Sequence, residues 1–210
     1  MSQEKGVFIL IAGANASGKT TVIKPKYVEG RVKRYLDPDR LFYVAEEDIL
    51  SVEARKEYEL KRPDRFAVEC LKNWLASERI RSEGIATESN LVTKHDFKCF
   101  ESAKKSGMRT ELYFVYVPLE IAKEREEIRA INGKQRKISE KIIEQRHKNG
   151  LPNIKKHIES GYVDVVMIYD NSRGRGEEQL LLHIKNGKTV FRCPKPPEWF
   201  SLNVGGAWDR

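Results

Sequence analysis

The 210 residues include 39 lysines and arginines against 31 aspartates and glutamates, a formal net charge of +8 that favours anionic ligands without singling out nucleic acid. A chain of this length can bury one full α/β core, and no stretch of it approaches the roughly 20 apolar residues that a membrane span needs. Cys70, Cys99 and Cys193 follow no metal or disulfide spacing, and the start MSQEKG leads into too short an apolar run for a secretory leader, so a reduced, cytoplasmic protein is expected.

Val7–Ala12 (VFILIA) reads as a buried strand, and GANASGKTT follows it at residues 13–21. Gly13, four residues, then Gly18-Lys19-Thr20 fits the spacing of a phosphate loop. Two glycines let the backbone approach a ligand closely, successive N–H groups form an anion nest, and the next helix adds its positive end. The alternative is a glycine-bearing turn with an incidental lysine, but a strand before and a helical stretch after argue for nucleotide binding. A nucleotide with Mg²⁺ is therefore expected, held by Gly13, Ala14, Asn15, Ala16, Ser17, Gly18, Lys19, Thr20 and Thr21. Lys19 would reach the β- and γ-phosphates, Thr20 would ligate the metal, and Thr21 would add a contact to the α-phosphate.

A weaker run near Val32–Leu36 ends in YLDPDRL. Asp39, or Asp37 two residues earlier, could accept the proton of an attacking hydroxyl; the competing reading is an Asp-Pro-Asp turn that caps the next element. Pro63 opens a helical pattern through Ala67, Leu71, Trp74, Leu75 and Ile80, closed by Gly84. The run Ile85–Glu88 ends with Thr87, Glu88 and Ser89 at a strand end, where Glu88 sits beside Mg²⁺, holds an acceptor hydroxyl, or is a tolerated rim charge. Asp96–Lys105 and Leu119–Ala130 read as helices and Leu112–Val117 and Val163–Ile168 as strands. Arg125, Arg129, Arg136 and Arg146 recur through a charged helix–loop–helix broken at Asn132-Gly133. Either it is a lid that brings guanidinium groups to the transferring phosphoryl, or it is a solvated face of i,i+4 pairs. Asn186-Gly187 between two strand-like runs marks a hairpin, and Trp199, Phe200 and Trp208 in the tail either pack back onto the domain or bind a partner.

Apolar runs alternating with helical patterns predict a doubly wound α/β fold. The expectation is one P-loop NTPase-type domain in three layers over residues 1–210. It has a central five-stranded parallel sheet with the phosphate-loop strand in the middle, a helical lid near 125–150, and a C-terminal β-hairpin and tail near 180–210.

In the order GANASGKTT, DPDRL, ATES, an arginine-bearing lid and YDNS, the chain resembles the zeta toxin family of P-loop kinases from about Val7 to Ser172. The resemblance implies that Lys19 and Thr20 bind phosphate and Mg²⁺ and that Asp39 is the base on the acceptor hydroxyl. It implies Glu88 in the substrate pocket and Arg129 and Arg146 as lid arginines. It further implies ATP-dependent phosphorylation of a small anionic acceptor, with UDP-N-acetylglucosamine as the sugar nucleotide of the family, and an antitoxin as partner. Ala14 stands where the family loop commonly has proline, DPD lacks a leading asparagine, Ala86 replaces an aromatic residue, and Gly133–Lys137 lacks Gly-Gly-His. Two other functions compete with a small-molecule kinase. One is a polynucleotide kinase, against which stands the absence of a basic strand interleaved with aromatics. The other is a non-catalytic nucleotide switch or partner-binding module.

Overall fold

The computed structural model describes residues 6–38, 63–132, 138–174 and 176–205. Asp39, Arg136 and Trp208, singled out in the sequence, lie outside the described residues. Seven strands form one sheet: β1 (Val7–Ala12), β2 (Arg34–Leu36), β3 (Ile85–Ser89), β4 (Arg109–Tyr116), β5 (Val165–Asp170), β6 (Gln179–Lys185) and β7 (Lys188–Arg192). Their order is β2-β3-β1-β4-β5-β6-β7. The expected five parallel strands are present with β1 in their middle. The sheet nevertheless has seven strands, because the hairpin pairs antiparallel along β5 rather than standing apart. Burial explains the difference. Leu181, Leu182 and Ile184 of β6 lose their water by extending the sheet, and β5 ceases to be an open edge.

Continuous apolar strands are read on both faces at a period of two. In β1, Phe8, Leu10 and Ala12 join one core while Ile9 and Ile11 join the other. In β4, Leu112 and Phe114 divide from Tyr113 and Val115 in the same way. The second face is covered by α1 (Lys19–Val28) through Val22, Ile23 and Val28. The first carries α2 (Pro63–Ala76), α4 (Lys94–Lys105), α6 (Glu140–Glu159) and α7 (Glu198–Val204), which contribute Leu71, Phe100, Ile154 and Phe200. The predicted helix through Ile80 breaks at Ser77, whose hydroxyl accepts from the Ile80 N–H and caps a separate α3 (Glu78–Glu83). The charged segment forms α5 (Leu119–Ile131) and α6, joined through Val117, Ala122 and Ile143.

The phosphate-loop helix is wound more widely than an α-helix and holds Pro25 inside it. At its end Glu29 donates to the carbonyl five residues back, on Lys24. A wider turn accommodates a proline ring that would crowd the carbonyl four residues earlier. Beyond that end, Arg31 grips Glu111 of β4 through two hydrogen bonds of 2.8 and 2.9 Å. Glu111 is 1% exposed. Burial alone would raise its pKa, but the Arg31 and Tyr113 hydrogen bonds outweigh that and hold it below the usual carboxylate range.

Candidate functional site

Gly13, Asn90, Val117 and Asn171 directly follow or closely follow the carboxyl ends of β1, β3, β4 and β5, so four loops converge where open α/β sheets bind ligands. The loop between β1 and α1 needs its glycines. Gly13 has φ 145° and Gly18 φ 100°, and a Cβ would stand 2.3 Å from the Val115 carbonyl oxygen at the first and 2.4 Å from Asn171 Nδ2 at the second. Ala16 also takes positive φ, 57°, the kind of left-handed turn from which anion-binding nests are built. Lys19, 8% exposed, folds over this loop and donates to the carbonyls of Gly13 at 2.9 Å and Ala14 at 3.1 Å. The Ser17 hydroxyl is buried without a protein partner, an unused donor in the cradle.

Thr20 Oγ1 donates to Glu88 Oε1 at 2.9 Å, and Tyr35 also donates to that oxygen. Glu88 is therefore drawn to the proposed metal ligand rather than out to the rim. A hydroxyl and a carboxylate are hard oxygen donors, and Mg²⁺ commonly takes one or two such protein ligands and completes its shell with phosphate oxygens and water. Among the described residues no group of three or more His, Cys, Asp or Glu side chains could hold a metal ion by itself.

Against the loop lies a cavity of about 440 Å³. Lys19, Thr87, Glu88 and Arg146 line its loop end, Leu36 and Leu71 its apolar side, and Asp37 the end of β2. His95 and Asp96 of α4 line it as well. Burial raises the Asp96 pKa against the pull of hydrogen bonds from Ser89 and Thr93, and it lowers that of His95. Thr87, Glu88 and Asp37 thus share one cavity with Lys19.

The arginines of the expected lid part company. Arg146 of α6 donates from Nη1 to Asn15 Oδ1 at 2.9 Å, which places its guanidinium on the phosphate loop. Arg129 faces Glu126, 3.8 Å away on its own helix. Arg125, one turn earlier, is the residue of α5 that reaches the loop, donating to the Ala16 carbonyl at 3.4 Å and the Asn171 carbonyl at 3.0 Å. Burial lowers its pKa from the ordinary arginine value.

Asn171 is a residue of the site that residue chemistry alone does not single out. It is 4% exposed and donates from Nδ2 to the Ser17 carbonyl at 2.8 Å, bracing the loop from β5. Its place in YDNS at a strand end was the signal available. Thr21 is exposed, and its N–H bonds the Gly18 carbonyl at 3.0 Å.

The sequence profile of the zeta toxin family matches residues 1–185. No curated protein sequence matches the chain. Among solved structures, the crystal structure of AvrRxo1-ORF1:AvrRxo1-ORF2 with sulphate ions is similar at a TM-score of 0.65 and 16% identity, covering 95% of this chain and 64% of that one. The same complex with ATP gives 0.65 and 15% over the same shares. A structure of the PezAT chromosomal toxin–antitoxin system of Streptococcus pneumoniae gives 0.55 and 21%, covering 85% and 73%. At these identities the likeness is one of fold, and the chain spans about 64% of the length of the AvrRxo1 structure it matches.

Proposed function

We propose that this chain, which belongs to the zeta toxin family, transfers the γ-phosphoryl group of ATP to a hydroxyl of a small acceptor seated in the cavity beside Glu88. One observation carries the reading: the cavity of about 440 Å³ opens directly on Lys19 and Arg146, at the end of the loop where a γ-phosphate would stand. Hydrolysis or nucleotide sensing needs only a water there, whereas a second substrate needs such a space.

In this reading backbone N–H groups of the loop from Ala14 to Thr20 hold the phosphates, those of Gly13, Ser17 and Thr21 being bonded to chain carbonyls, and Lys19 leaves the Gly13 and Ala14 carbonyls for the phosphate oxygens. Thr20 and Glu88 would hold Mg²⁺, which supplies charge neutralisation on the phosphates when bound. The chain's own residues do the rest. Arg146 and Arg125 offer guanidinium donors to the charge that develops during transfer, with Arg129 retained from the family resemblance as a further candidate. As the acceptor oxygen–phosphorus bond forms and the bond to the ADP oxygen breaks, the acceptor's proton passes to a carboxylate, proposed as Asp39 with Asp37 in reserve. Thr87 and Glu88 orient the acceptor. The family makes a sugar nucleotide such as UDP-N-acetylglucosamine the first acceptor to try. The name of the PezAT system makes an antitoxin the first partner to seek.

The test is a screen of hydroxyl-bearing acceptors with labelled ATP and Mg²⁺, using Lys19→Ala as the binding control. An acceptor should stimulate ADP release from the wild type. Asp39→Asn should keep ATP affinity and lose about 10²- to 10⁴-fold in that stimulated rate. A loss in Asp37→Asn alone would move the base to that residue. If no acceptor stimulates the wild type, the kinase reading falls.

A further inference from the structure

Residues 146–153 read RHKNGLPN and place a glycine and a proline in the middle of the 20-residue helix α6. Both residues disfavour a helix interior, so their presence calls for a compensating contact. Gly150 has one. A Cβ built on it would lie 2.7 Å from the carbonyl oxygen of Asn90, in the loop after β3. That neighbour is backbone and cannot swing aside, so only glycine lets α6 come this near.

The approach is fastened on both sides. His147 Nε2 meets the Val117 carbonyl at 2.9 Å, after β4. Asn153 Nδ2 donates to the Leu91 carbonyl at 2.7 Å, after β3, and to Asn149 at 3.1 Å. One helical turn before the glycine, Arg146 Nη1 reaches Asn15 Oδ1 of the phosphate loop at 2.9 Å and lines the cavity. An arginine carried by a helix seated this way is placed before substrate arrives.

The geometry points to Gly150 as a positioning residue: its missing side chain sets the depth at which α6 docks on Asn90, and that depth places the Arg146 guanidinium on the phosphate loop. The effect on turnover rests on the kinase reading; the placement of Arg146 does not. A glycine that merely fills space would affect stability alike with or without Arg146, whereas a glycine that acts through Arg146 loses its effect once that guanidinium is gone.

The experiment is a double-mutant cycle in acceptor-dependent ADP production. Gly150→Ala is expected to lower kcat about 10- to 100-fold, as misplacement of a catalytic group does, with KM for ATP within about twofold. In an Arg146→Ala background it should cost less than about twofold more. Asn153→Ala removes a fastening without crowding Asn90. It should give a smaller loss with the same dependence on Arg146, and it carries the test if Gly150→Ala does not fold. Wild-type kcat in Gly150→Ala, or an equal loss in both backgrounds, overturns the proposal. A wild type that never turns over counts against the kinase reading alone. The guanidinium ¹⁵N resonances of Arg146, identified by their loss in Arg146→Ala, then decide. Movement towards free arginine in Gly150→Ala supports the placement, and unchanged resonances overturn it.

Discussion

His157 shows how far one side chain's chemistry depends on its surroundings. It lies 3% exposed on α6, with its ring 5.6 Å from Phe97 and 5.4 Å from Phe100, and its Nδ1 has no protein partner. Burial, with a smaller push from Lys156, lowers its pKa from 6.5 to about 4. The folded state therefore binds its proton less readily than the unfolded state does. The neutral form suits the fold fully above pH 6.5, and stability drains away as pH falls from 6.5 towards 4, by about 3 kcal/mol at most at 1.36 kcal/mol per unit. His157→Leu should flatten the fall of Tm between pH 7 and pH 4.5 relative to wild type, since an orphaned polar atom is removed rather than a bond. Parallel Tm profiles for the two proteins would show that this ring does not set the slope. In the sequence, His157 is one histidine within KKHIES; its burial depends on two phenylalanines of α4, sixty and fifty-seven positions away.

At the scale of elements, local patterning reads well and element breaks read poorly. The strand before the loop, the helix opened by Pro63 and the hairpin at Asn186-Gly187 follow from periodicity and turn residues, which act over a few neighbours. The break at Ser77 and the wide winding of α1 around Pro25 are choices between near-equal local states that packing settles. The charged helix α5 poses the same problem for function. Arg125 and Arg129 are one turn apart, and sequence spacing cannot say which meets the loop. With Arg125 on the Ala16 and Asn171 carbonyls and Arg129 beside Glu126, Arg125→Ala is expected to lower kcat by about 10²- to 10³-fold with little change in ATP affinity, the cost of one preorganised donor. Arg129→Ala should fall within about threefold of wild type on the same ground. Steady-state kinetics of the two variants checks this; the reverse ranking would make Arg129 rather than Arg125 the arginine that acts during transfer.

Over the whole molecule, the tail as far as Val204 belongs to the core. Trp199 stacks on Tyr116 with ring centroids 3.8 Å apart and donates from Nε1 to Asp170 Oδ2 at 2.8 Å. Phe200 is 0% exposed within the larger hydrophobic cluster. Phe200→Ala should therefore cost about 3–5 kcal/mol in a single cooperative urea transition; a loss below about 1 kcal/mol would mark the tail as an attached segment instead. Its aromatic content was visible in CPKPPEWF, but the choice between packing inward and binding a partner was not. The sequence alone determined the phosphate loop, because glycine spacing, a lysine and a threonine act within nine residues of backbone whose conformation is local. It also determined the alternation of strands and helices, because side-chain periodicity is local too. Only the tertiary structure decided that the hairpin extends the sheet, that Thr20 meets Glu88 across 68 positions and that Arg146 meets Asn15 across 131. Those pairings depend on strand order and helix docking, which are set by burial of the whole core rather than by any stretch that carries the residues.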